Sequence, residues 1–196
     1  MAPPSTAAGS LLVGATHHSV GAAFVATYRS LGLRLAGYPV TEPYLDAGML
    51  TQDFEHLRLV LRDGTVAIAP LGRAALTTHI ASGDPALQSY GSGKGNIAPI
   101  PNTPTLRYFP QTHHTLQGDL LRFWQQHGGM AVFGAPITEV VTDTNGDGSG
   151  RSYQMQYFEN ARLERHPETQ GPSYAILLGL LGDESLVDRR WLVVPE

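Results

Sequence analysis

The chain has 196 residues, 42% of them hydrophobic and 15% charged, which fits an ordered globular protein long enough for one domain or two small ones. A formal net charge of −4 and a pI near 6.0 leave no basic field to attract phosphates, which argues against nucleic acid or an anionic membrane as partner. The lack of cysteine removes disulfides, thiolate nucleophiles and thiolate metal sites, and no apolar run reaches the roughly 18–20 residues of a membrane-spanning helix.

Residues 1–10, MAPPSTAAGS, have neither a basic nor an apolar region of the signal-peptide kind and read as a flexible tail. A first unit, residues 11–80, opens on Thr-His-His at Thr16–His18. Phe24 and Tyr28, four residues apart before Gly32, predict a helix with a left-handed glycine cap. Gly37–Glu42 (GYPVTE) predicts a turn and a short strand entering a hairpin, and Gln52–Leu59 (QDFEHLRL) its return strand with a tight reversal. The apolar run after it, VAIAPLGRAAL, is predicted to pack back on that helix. Residues 81–104 are rich in Gly, Pro and Ser and read as a linker arm.

The same blocks then return in the same order over residues 105–186. Thr112–Leu116 (THHTL) follows Thr16–Val20 (THHSV) at a distance of 96 residues, and GAPITE at Gly134–Glu139 follows GYPVTE at 97. Gln156–Leu163 (QYFENARL) follows Gln52–Leu59 at 104, and Leu180–Asp183 follows Pro70–Arg73 at 110. The offset grows because the second copy carries loop insertions, among them DTNGDG at Asp143–Gly148. Residues 187–196 form a tail whose Trp191-Leu-Val-Val ending suggests contact with another domain or subunit. The predicted fold class is α+β: two tandem copies of a short helix plus β-hairpin unit, joined by a Gly/Pro-rich linker.

HGGMAVFGAPITE, a hairpin, and then QYFENARLERHP resemble the Leu-Gly-Phe-Pro (LGFP) repeat. The order is also similar to that of paired domains in exported proteins of filamentous green bacteria (Chloroflexota). Residues 108–182 match this pattern closely and 11–72 more loosely, with His17 and His113 standing where the pattern has Gly. The resemblance implies a secreted or cell-surface module that binds wall polysaccharide rather than doing chemistry.

Several residue sets carry candidate chemistry. Glu55 with Arg58, and Glu159 with Arg162, flank the two reversals, where a carboxylate and a guanidinium would clamp the turn or dock a ligand. His18 and His114 are candidate ligand-binding residues, each expected as an N-terminal helix contact or a hydrogen-bonded structural residue rather than a metal ligand, since adjacent histidines on an extended segment point apart and rarely chelate one ion. Asp143, Asn145 and Asp147 occupy positions one, three and five of a calcium-type loop with Gly148 at six, but position twelve is Gln154 rather than an acid. Tyr38 is the aromatic best placed for a sugar platform. No nucleophile elbow, phosphate loop or dinucleotide fingerprint occurs.

The expected function is a non-catalytic bacterial surface module binding envelope glycan or a protein partner, with no cofactor beyond a candidate calcium ion. One alternative is a subunit that self-assembles through its tails. Another is a small hydrolase using His114, Glu139 and Glu159.

Overall fold

The computed structural model describes residues 9–93, 95–144, 150–169 and 175–191. In chain order these form β1 (Leu11–Val13), β2 (His18–Val20), α1 (Val25–Ala36), β3 (Tyr44–Asp46), β4 (Met49–Asp53), β5 (Arg58–Arg62) and β6 (Thr65–Ile68). There follow α2 (Leu71–Ala81), α3 (Gln88–Gly91), β7 (Leu106–Phe109), β8 (His114–Gln117), α4 (Gly118–Gln126) and α5 (Gly129–Val132). The last are β9 (Val141–Thr144), β10 (Ser152–Tyr157), β11 (Arg162–Arg165), β12 (Ile176–Leu178) and α6 (Leu181–Asp188). The α+β class predicted from the sequence is present, with every sheet antiparallel.

The described chain forms two compact units. Unit 1 comprises residues 1–69 and 182–196, and unit 2 residues 70–181. Unit 1 holds the β1–β2 pair and the meander β3-β4-β5-β6, with a core of Val20, Phe24, Tyr28, Ala36, Phe54 and Leu59. Unit 2 holds the β7–β8 pair and the meander β9-β10-β11-β12. Alternation along β10 turns Tyr153, Met155 and Tyr157 toward Leu76 of α2 and Leu87. It turns Gln154 and Gln156 the other way, the side on which Arg165 of β11 reaches Asp119 of α4.

These boundaries differ from the predicted 11–80 and 105–186. The helix that follows β6 belongs to unit 2, and α6, from Gly182 on, belongs to unit 1. Each helix meets the reversal of its unit at a glycine. A methyl group on Gly72 would overlap the Phe158 carbonyl oxygen, and one on Gly182 would overlap that of Phe54. The amide of Arg73 donates to the Glu159 carbonyl at 3.0 Å, and that of Gly182 to the Glu55 carbonyl at 2.9 Å. Leu71 and Leu76 on α2, and Leu181 and Leu186 on α6, are buried at matching steps.

The recurring blocks share several hydrogen bonds between the two units. Gln52 Nε2 donates to the carbonyls of Ser19 and Thr41, and Gln156 Nε2 to those of Thr115 and Thr138. Glu55 Oε2 accepts the Tyr38 amide at 2.8 Å, and Glu159 Oε2 the Ala135 amide at 3.0 Å. Gly37 and Gly134 beside them have φ of 76° and 73°, and a Cβ there would strike the Glu55 or Glu159 side chain, so the Gly-x-Pro turn needs glycine. His17 and His113 also lie in the left-handed region, at 62° and 59°, a conformation that few residues other than glycine adopt without strain.

Two local expectations fail in whole or in part. Val40–Glu42 and Ile137–Glu139 are not strands: Thr41 and Thr138 turn their hydroxyls to the amides of Asp53 and Tyr157, and the strands begin later. The linker arm fails over residues 81–93, which fold into turns and α3, while residues 95–104 hold no helix or strand and are mostly exposed. Leu87 is fully buried in the unit 2 core, and Tyr90 Oη accepts the Glu139 amide. Trp191 packs edge-on against Tyr44 of unit 1 at 5.0 Å while staying half exposed.

Candidate functional site

The reversals do not pair their own Glu and Arg. Glu159 is bonded by Arg73 of α2 at 3.0 Å, and Glu55 faces Asp183 of α6. Arg58 bonds Asp53 and Ser185, while Arg162 bonds Glu164 at 2.7 Å and Tyr157 Oη at 3.3 Å. The predicted clamp is corrected because Arg58 and Arg162 each stand on a strand whose side chain enters the face covered by the exchanged helix. There burial demands a partner, and the nearest carboxylates are not those of the turn.

His18 lies 3.5 Å from Glu42, and His114 lies 3.3 Å from Glu139. Each acid also accepts the following amide, Ser19 or Thr115. These pairs tie β2 and β8 to the Gly-x-Pro segment. Glu139 is further engaged by the Thr115 hydroxyl, so Glu139 and Glu159 are each held by backbone and side-chain donors. Tyr38 is half-buried beside its turn. Asn145 and Asp147 lie outside the described residues, whereas Asp143 is described, on β9.

Two further arrangements in unit 2 escape sequence reading. The first is an open cleft of about 710 Å³, lined among others by Thr142, Arg151, Tyr153, Gln154, Arg165 and Glu168. Thr142, Gln154 and Arg165 are register partners across β9, β10 and β11 and so form one polar row. Arg165 grips Asp119 through Nε and Nη2 and bonds Gln154 Oε1 at 2.9 Å, which holds the Asp119 carboxyl below its ordinary range. Glu168 accepts the Tyr153 hydroxyl at 2.7 Å, and this bond leads the causes that lower its pKa to about 2. The Tyr153 ring stacks on His166 at 3.9 Å.

The second is the convergence of His79 at the end of α2, Asp84 just beyond it, and Asp143 on β9, whose ligand-type atoms all lie within 4.8 Å of one another. Their sequence separations hide them; only the fold brings them together.

No family model matches the chain, and no curated protein matches it either. Among the described residues no helix is long and apolar enough to cross a membrane.

Proposed function

We propose that the chain is a non-catalytic module, secreted or held at the bacterial cell surface, that binds an envelope glycan in the unit 2 cleft. The observation that carries this reading is the Thr142–Gln154–Arg165 row: hydroxyl, amide and guanidinium groups side by side across three strands, with Arg165 held by Asp119 and Gln154, in an open cleft. Fixed planar donors suit sugar hydroxyls because little side-chain freedom is lost on binding. The acids that a hydrolase would need are instead held by backbone amides and by Arg73.

A pull-down on purified wall polysaccharide tests the proposal. Wild-type chain is retained, and Gln154→Leu, which copies the residue of unit 1 at this place (Leu50), is not. Failure of the wild type to bind overturns the function, and equal retention of the variant overturns the location. Repeating the assay with EDTA and with added calcium tests whether calcium at Asp143, Asn145 and Asp147 contributes.

A further inference from the structure

The geometry points to a divalent transition-metal site of the zinc class formed by His79, Asp84 and Asp143 in unit 2. His79 Nδ1 and Asp84 Oδ2 stand 3.6 Å apart, close to the roughly 3.3 Å between donors that tetrahedral zinc with bonds near 2.0 Å requires. Each carboxylate is aimed by a backbone amide on its other oxygen. Asp84 Oδ1 accepts the Ala86 amide at 2.9 Å, and Asp143 Oδ1 accepts the Thr144 amide at 2.7 Å. Asp143 Oδ2 is buried and has no hydrogen-bond partner. Two acids so placed need a shared proton or a cation between them.

Unit 1 supplies an internal control. Asp46 pairs with Met49 across β3 and β4, as Asp143 pairs with Tyr153 across β9 and β10, so Asp46 and Asp143 are equivalent. Arg189 follows Gly182 by the same seven residues that separate His79 from Gly72. In unit 1 Arg189 bonds Asp46 at 2.9 Å, so a guanidinium neutralises the carboxylate. In unit 2 the arginine's place is taken by an imidazole and a second acid is added. With neutral His79 the three side chains sum to two negative charges, which one divalent cation balances. One nitrogen with two carboxylate oxygens suits zinc or a neighbouring first-row ion better than calcium, which takes six to eight oxygens. Three protein ligands leave a fourth position for water or a ligand hydroxyl.

Isothermal titration of the full, EDTA-stripped chain with zinc chloride, and separately with calcium chloride, tests the site. One zinc per chain is expected, with at least a hundredfold weaker binding in Asp143→Asn and in His79→Arg. The second variant recreates the unit 1 pair, so it should keep the wild-type melting temperature without zinc and gain none when zinc is added. Absence of zinc heat, tighter binding of calcium than zinc, or undiminished zinc binding by His79→Arg would each overturn the inference.

Discussion

The two units share their hydrogen-bonded frame and differ at the positions that frame leaves open. Both anchor a buried glutamine to two carbonyls and a carboxylate to the Gly-x-Pro turn. Around that frame, unit 1 is aliphatic where unit 2 is polar: Leu45, Leu50 and Leu61 stand where unit 2 has Thr142, Gln154 and Arg165. The buried arginine on β5 or β11 is also balanced differently. In unit 1 its acid is Asp53 across the strand pair, and in unit 2 it is Glu164 two residues along the same strand. A repeated unit thus keeps what closes its backbone and varies what faces outward or across to its helix.

The largest break in that comparison should come from Glu164→Leu. Arg162 and Glu164 are both about 1% exposed, so the substitution strands a guanidinium in the interior and should cost about 3–5 kcal/mol. The equivalent residue of unit 1 is already Val60, so Val60→Ala should cost far less, and urea unfolding of the two variants makes the comparison.

Smaller effects are expected at the paired glutamines. Gln52 makes three bonds, including one from the Gly21 amide, whereas Gln156 makes two and leaves Oε1 buried without a partner. Gln52→Leu should therefore lose about 3 kcal/mol and Gln156→Leu about 2 kcal/mol. An equal loss in denaturant melts would show that the orphan oxygen carries no penalty.

The smallest effect concerns Asp183, which stands where unit 2 has Arg73. Burial first, then Glu55 and Glu184, raise its carboxyl to about 6. Because the folded pKa lies above the unfolded value of 3.8, its contribution to stability is full below that pH and is lost as pH rises through about 6. Asp183→Asn should gain about 1 kcal/mol at pH 8, discounted for partial exposure, and nothing at pH 3.5. Thermal melts at the two pH values read the sign directly.

What was legible in the sequence is what acts through the backbone nearby. The Thr-His-His, Gly-x-Pro and Gln-x-Phe-Glu blocks are alike where their glutamines and glutamates bond specific amides or carbonyls and where a histidine or glycine holds a left-handed φ. The left-handed glycine just past α4, Gly128 with φ of 100°, was readable for the same reason, whereas Gly32 (φ 71°, ψ 169°) kinks α1 from within and the helix closes at Gly37 instead. The partner of each helix was not, since α2 and α6 present similar apolar steps and nothing local says which sheet receives them. The supposed linker misled because its Gly, Pro and Ser outnumber Leu87 and Tyr90, the two residues that anchor it. The cleft row and the His79–Asp84–Asp143 group depend on strand register and on helix placement, neither of which spacing encodes.

The crossing of α2 into unit 2 and of α6 into unit 1 has a bearing on inheritance. Excising residues 11–80 or 105–186 as a self-sufficient cassette would carry off a helix made for the sibling sheet and leave behind the one required. Truncation or transplantation must therefore carry residues 70–80 with unit 2 and residues 182–191 with unit 1.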